Sequence, residues 1–442
     1  MVSIIDAAND LSKMGLIEVN SGILNKTINA IDKKLRTSHF YALALILILV
    51  CDFYLMYKSI GPYPPRNYIT IFISGFIIID LFVLNKAQFL ARYQFSLMVL
   101  GVNLIYIGLS KFYFEGASAE AYIKDLLRFG SLFLALQFLL PRLDRKTIVY
   151  SFFFTVLFSV IIALLQIISP DLGWSIREFL DAETCKRFCR GNNRPAGLAY
   201  YTLTLAEQLI GLIPIFLFQF KSYFSGKKII WLGSNLVLLI ILVLLENRGA
   251  TLGYFIAWFI WIFSQENMNK ISKILLSLSI LACLTTLYNL RDEIRAVNFV
   301  EGSDTARLDV FTATTIIARD NFLLGLGPNY KYIQRKFTAL KKSHKDYFIN
   351  PSRLGKISPH NYFLNVHLAY GLLGTIVNLY FIFWFLKRKK EYLCIITIVS
   401  FNSFFHNSGI LTSTPTAIIF LIYWSLSLTT PTIKTDHDQV DC

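Results

Sequence analysis

The chain has 442 residues, 55% hydrophobic, 15% aromatic and only 16% charged, with a mean hydropathy of +0.53. A soluble protein carries about a quarter charged residues, so this composition excludes a soluble globular enzyme and points to a polytopic membrane protein. The formal charge of +15, from 43 basic and 28 acidic residues, would suggest nucleic acid in a soluble chain; here its distribution speaks of membrane topology instead, and nucleic-acid binding drops out.

Residues 1–38 are mixed polar, with Asp6, Asp10 and Glu18 and no apolar core before Tyr41, so no cleavable signal peptide is expected. Within them Leu24, Ile28, Ile31 and Leu35 fall at helical spacing beside Lys33, Lys34 and Arg36. That pattern fits either a short amphipathic helix on the inner leaflet or a loosely ordered tail.

Apolar runs long enough to cross about 30 Å of hydrocarbon then recur along the chain. They lie at 39–57, 67–84, 95–114, 121–140, 148–168, 197–220, 229–246, 250–264, 271–288, 360–386, 391–407 and 413–429. The expected fold class is an all-α polytopic membrane protein of about 12 transmembrane helices. It is one integral membrane domain over 39–429, followed by a tail at 430–442. Basic residues crowd alternate connections: Lys86 and Arg92; Arg142, Arg145 and Lys146; Lys221, Lys227 and Lys228; Lys270 and Lys273; and Lys387–Lys390. The opposite short connections hold only Lys58, Arg66, Lys111 and Arg248. This bias puts both termini in the cytoplasm and turns the long loops at 169–196 and 289–359 outward.

In the first outward loop Cys185 and Cys189 stand four apart, where an oxidising compartment permits either a disulfide or free thiols. The second loop, 289–359, is expected to form a small helical cap between the ninth and tenth spans. Thr305–Ala318 has helical character, and Gly325-Leu326-Gly327-Pro328-Asn329 ends it. A basic segment follows, from Lys331 to Lys345.

Candidate site residues gather on the outward side. Arg248, in Glu246-Asn247-Arg248-Gly249, sits at a hairpin between two apolar spans, where an unmet arginine costs a few kcal/mol. It either serves a ligand or snorkels, paired with Glu246. Arg194, in Asn193-Arg194-Pro195, and Arg307, in Ala306-Arg307-Leu308, read singly as solvated loop arginines. With Arg248 they suit one anionic group, since guanidinium forks match phosphate oxygens. Lys124 and Arg128 share a helix face near the outward end of the fourth span, snorkelling or adding to such a site. Asp80 and Glu207 are expensive to bury, and buried ion pairing is the plain expectation for both.

His360 stands where the outward loop meets the tenth span, and imidazole titrates near neutral pH, as a general base requires. Asn361 is placed to orient it or to bind a sugar hydroxyl. His367, two turns on, reads as packing, while His406 reaches the same surface. Gly371 and Gly374 read as small residues that let another helix approach. No metal-ligand set and no cofactor motif is evident.

Taken in order, these motifs resemble the O-antigen ligase and O-antigen polymerase superfamily of bacterial envelope glycosyltransferases. The resemblance rests on His360-Asn361 followed after nine residues by Gly371-Leu372-Leu373-Gly374, on Asn247-Arg248-Gly249-Ala250, and on Ala306-Arg307-Leu308 with Leu324-Gly325-Leu326-Gly327-Pro328. It implies a C-type, metal-independent fold in the bacterial inner membrane, with the active site facing the periplasm. The donor would be an undecaprenyl diphosphate-linked glycan and the acceptor lipid A-core or another glycan. His360 would deprotonate or orient the acceptor hydroxyl, with inversion at the anomeric carbon. Arg248 and Arg307, with Arg194, would bind the diphosphate and stabilise the leaving group. Ligase and polymerase activity are both compatible, ligase being preferred on the histidine motif. A flippase or transporter of lipid-linked glycans is the rival class, disfavoured by the single large loop and the lack of internal repeats.

Overall fold

Apolar runs fold as helices because a backbone surrounded by lipid has to satisfy its hydrogen bonds within the segment. The computed structural model describes residues 39–55, 63–113, 119–180, 195–199, 201–219, 228–289, 301–327, 330–349, 354, 361–385, 388, 390–406 and 408–428, all-helical in their regular structure. The first half of the chain supplies α1 (Phe40–Phe53), α2 (Pro65–Gly75), α3 (Ile77–Val83), α4 (Lys86–Tyr113), α5 (Ala119–Asp125), α6 (Ser131–Leu139), α7 (Arg145–Ile168), α8 (Pro170–Leu180) and α9 (Thr202–Pro214). The second half supplies α10 (Lys228–Leu244), α11 (Arg248–Ser264), α12 (Lys270–Asn289), α13 (Glu301–Asp320), α14 (Tyr330–Ser343), α15 (Tyr362–Trp384), α16 (Lys390–Phe405) and α17 (Thr414–Leu428). Each apolar run read from the sequence overlies one of these helices or a pair of them. Among the described residues, four stretches are long and apolar enough to cross a membrane: Pro65–Val83, Lys86–Leu109, Arg145–Ile168 and Tyr362–Trp384.

The surface is that of a membrane protein. On α7, Tyr150, Phe154, Phe158 and Ile161 form an exposed apolar stripe, while Phe152, Val156, Ser159 and Ala163 on the other face are buried. A stripe of this kind is tolerated where lipid covers it. The chain is a multi-pass membrane protein. Its central helix is α17, buried on every side from Thr414 to Ser427. A helix apolar all round belongs in the middle of a bundle. Around it α4, α6 and α15 contribute Phe95, Phe133 and Phe381, with the Phe95–Phe381 and Phe381–Phe420 ring centroids 4.9 and 5.3 Å apart.

Pro214 closes α9 and has no N–H to donate, and the chain widens into a π-helical turn over Ile215–Gln219. The Trp231 indole N–H donates to the Phe216 carbonyl there at 2.7 Å. A second π-helical turn, Leu126–Gly130, links α5 to α6. Asp144 caps α7. Its carboxylate accepts from the Thr147 N–H (2.8 Å) and hydroxyl (2.7 Å), and these donors hold it below the usual carboxylate range.

Asp80 and Asp52 are buried in the bundle, and each is ion-paired. Asp80 accepts from Arg142, from Arg92 (3.1 Å) and from the Tyr93 hydroxyl (2.5 Å), the ion pairing expected of it. The Arg142 guanidinium also lies 3.9 Å from the Phe138 ring centroid. At the N-terminal end of α2, Arg66 is 2% exposed and pairs with Asp52, donating also to the Thr414 hydroxyl (2.8 Å) and to Asn67. Arg66 is therefore an internal residue and not one of the solvated charges of an outward turn.

Helices α13 and α14 form a subdomain with a core of its own. Val310, Ala313 and Ile317 meet Ile333, Phe337 and Phe348, and Leu368 of α15 joins them. Residues 1–38 and the 430–442 tail lie outside the described residues.

Candidate functional site

The N-terminal half of α15 carries most of the site geometry. Its first residue follows Asn361, a buried N-cap whose Oδ1 accepts the Leu364 N–H at 3.0 Å. That bond fixes the helix start directly after His360; His360 itself lies outside the described residues, as do Arg194, Cys185 and Cys189.

Nine residues on, α15 breaks. Gly371 adopts φ +54 and ψ −149, a conformation essentially reserved for glycine. A break inside a spanning helix strands backbone groups, and here groups on both sides of it find partners. The carbonyls of Leu368 and Ala369 accept from the N–H groups of Leu326 (2.6 Å) and Gly327 (3.0 Å). The Tyr370 carbonyl accepts from the Tyr106 hydroxyl, and the Gly371 carbonyl from the Thr375 hydroxyl at 3.0 Å. The Leu372 N–H donates to Phe322 (3.0 Å) and Leu323 (3.2 Å). Gly325, at φ +67, completes the contact, because a Cβ there would stand 2.7 Å from the Gly371 nitrogen.

This geometry revises the reading of the two glycine motifs. Gly371 does not admit a neighbouring helix; it breaks its own helix so that the Gly325-Leu326-Gly327 segment can dock by backbone hydrogen bonds. Gly374 gives room within α15, since a Cβ would run into Tyr370. The two motifs, 44 residues apart in sequence terms between Gly327 and Gly371, are one structural unit.

Arg248 opens α11 and is half-buried. Before it, Asn247 caps the helix by accepting the Ala250 N–H at 3.0 Å, and Glu246 takes a left-handed φ of 51. The hairpin is thus held tightly enough to set where the Arg248 side chain begins. His406 Nε2 sits 3.3 Å from Asn247 Oδ1, so this histidine belongs to the Arg248 hairpin. From His406 the chain runs to α17 through a turn that touches the α15 start. Gly409 packs against the Tyr362 ring, the Leu411 N–H donates to the Tyr362 hydroxyl (3.1 Å), and that hydroxyl donates to Asn378 (2.5 Å). One turn therefore bridges the helix beginning at Arg248 and the helix that follows His360.

Glu207 anchors the far end of this turn. It is 4% exposed and accepts from the hydroxyls of Ser413 (2.5 Å) and Thr416 (3.3 Å). Hydroxyls meet this carboxylate where burial alone led us to expect a cation. Serine and threonine at a helix start are unremarkable in a sequence, so nothing signalled this role.

Arg307 lies half-buried near the start of α13. Two residues on, buried Asp309 accepts the Ile349 N–H at 2.8 Å and ties the end of the subdomain to α13. Lys124 is exposed and Arg128 half-buried, with its guanidinium 5.0 Å from the Phe129 ring centroid. Arg128 lies inside the π-helical turn while Lys124 stands on the preceding α-helix, so they do not share a regular α-helical face. Asp125 beside them accepts from the Tyr370 hydroxyl at 2.6 Å, which attaches this segment to α15 next to the break. His367 contacts Thr375 (2.8 Å) and Phe322 across the break, a packing role. Tyr362 and Tyr370, which bind these segments together, were invisible as site residues because aromatic residues abound in every span.

Arg248, Arg307 and Asn361 thus stand on segments joined to α15, to His406 or to the turn at 408–413, and Lys124 and Arg128 join through Asp125. No curated protein matches the chain. Residues 233–379, running from α10 into α15 and holding Arg248, Arg307, His360, Asn361 and both glycine motifs, match a family model described as O-antigen ligase. That match supports membership of the O-antigen ligase and polymerase superfamily, a family of membrane glycosyltransferase-like enzymes of O-antigen processing.

Proposed function

We propose that this protein is an O-antigen ligase of the bacterial inner membrane, transferring a glycan from undecaprenyl diphosphate to a lipid A-core hydroxyl on the periplasmic side. The observation that carries the reading is the family match over 233–379, the stretch that contains the histidine motif and two of the three arginines. In this reading about twelve spans cross the membrane, both termini are cytoplasmic, and the α13–α14 subdomain is a periplasmic cap.

His360 takes the acceptor proton, or orients the hydroxyl, as oxygen attacks the anomeric carbon from the face opposite the diphosphate. The configuration inverts and undecaprenyl diphosphate departs. Arg248, Arg307 and Arg194 offer guanidinium donors to its oxygens where negative charge builds up. Lys124 and Arg128 add positive charge nearby, and Asn361 keeps the helix start behind His360 in place. Clustered arginines supply the charge stabilisation that a metal gives elsewhere, so the proposed reaction needs no metal.

The test is reconstitution of the purified protein with lipid-linked glycan and lipid A-core. Release of undecaprenyl diphosphate, lost in His360→Ala, is the expected result; normal turnover in that variant overturns the base assignment. A deletion strain separates the two family activities. Loss of all O-chain with lipid-linked polymer accumulating means ligase, and a core bearing one repeat unit means polymerase.

A further inference from the structure

Helix α14 has two opposed faces. Ile333 and Phe337 are buried in the subdomain core, at 3% and 0% exposure. Arg335 and Lys342, seven residues and two turns apart, lie along one exposed line on the other side, flanked by exposed Lys336. The helix contains no acidic residue, so this face carries unbalanced positive charge. A solvated helix face normally mixes both signs.

The helix starts close to a spanning helix. α14 begins three residues after Gly327, whose N–H is bonded to the Ala369 carbonyl inside α15. Three residues reach roughly 11 Å at full extension, so the basic helix starts within that distance of a spanning helix. Directly after it, Tyr347 and Ile349 are 61% and 67% exposed, although the Ile349 backbone is tied to Asp309. An anchored backbone that presents exposed apolar side chains a few residues after a basic helix has the chemistry suited to a membrane interface.

We propose that the Arg335–Lys336–Lys342 face of α14 docks on phosphate-bearing lipid headgroups of the adjoining leaflet, with Tyr347 and Ile349 reaching into the interface. The contact holds the α13–α14 subdomain, and with it the Gly325–Gly327 segment, against the broken helix. A soluble polyanion would satisfy the charges but leave the two apolar side chains in water.

The experiment places the full-length protein in nanodiscs of phosphatidylcholine alone or phosphatidylcholine mixed with phosphatidylglycerol. Acylation rates of Lys336 and Lys342 are then followed by mass spectrometry. Slower acylation in the anionic discs, by about fivefold for each lysine held at a phosphate, is expected, and high salt should abolish the difference. Arg335→Gln, an exposed substitution, should shrink the effect. Equal rates in the two discs overturn the proposal. So does equal slowing in phosphatidylcholine discs on adding soluble polyphosphate, since that identifies a soluble anion as the partner. Nanodiscs present both leaflets and no substrate, so the outcome is independent of the orientation and transfer reaction proposed above.

Discussion

Replacing Gly371 by alanine tests the docking of the two glycine motifs. The added Cβ meets the Leu323 carbonyl oxygen, the Leu323 carbonyl carbon at 2.6 Å and the Gly325 nitrogen at 2.7 Å, all backbone atoms that cannot rotate aside. The residue's own φ and ψ add strain of about 1–3 kcal/mol for any L side chain. Relief requires the 322–327 segment to back away, which breaks the Leu326–Leu368, Gly327–Ala369 and Leu372–Phe322 hydrogen bonds. At about 1 kcal/mol net each, these bring the total to about 4–6 kcal/mol. Gly101→Ala is the comparator: it sits in helix α4 with nothing within 4 Å of its Cβ, and its effect should stay within about 1 kcal/mol. Both variants would be followed in detergent by thermal unfolding and by hydrogen exchange of the 322–327 and 366–372 amides. A large loss of stability with rapid exchange in both segments is expected for Gly371→Ala alone. If its unfolding temperature and exchange match those of Gly101→Ala, the backbone docking does not hold the subdomain.

Three other outcomes follow from the same geometry. Asp52→Leu and Arg66→Leu should each destabilise the bundle by about 3–5 kcal/mol, because each leaves a buried charge alone; the double variant should cost less than the two combined, as a double-mutant cycle of detergent unfolding would show. Tyr362→Phe releases the Leu411 N–H and Asn378, and should lower the unfolding free energy by about 1–3 kcal/mol while loosening the turn between Arg248 and His360. In the reconstituted transfer assay that loosening should appear in kcat more than in KM. Asp144 has a depressed folded-state pKa, so its cap contributes above the unfolded carboxylate value near pH 4 and fades as pH falls through the folded value. Asp144→Ala should therefore cost about 1 kcal/mol at pH 7 and progressively less below about pH 4, measured by unfolding across pH.

Membrane character, the positions of the helices and the order of the motifs were legible in the sequence because hydropathy and charge bias are local and additive. A run of twenty apolar residues has few alternatives to a buried or lipid-facing helix. Asp80 was equally legible, since a carboxylate in an apolar span has to find a cation. Glu207 shows where that logic stopped: burial alone does not choose between a guanidinium and a set of hydroxyls, and the start of α17, more than two hundred residues later, supplied the hydroxyls. Arg66 likewise read as an outward charge until α1 and α17 closed over it.

The sequence by itself therefore determined what kind of protein this is and which residues deserve suspicion. Only the tertiary structure decided how they are connected. It showed that Gly325–Gly327 and Gly371 are halves of one joint, and that a turn after His406 bridges the hairpin of Arg248 to the helix after His360. The reason is physical: the joint is made of backbone N–H and C=O groups, which every residue carries, so no side-chain pattern announces it until the chain has brought those groups within 3 Å.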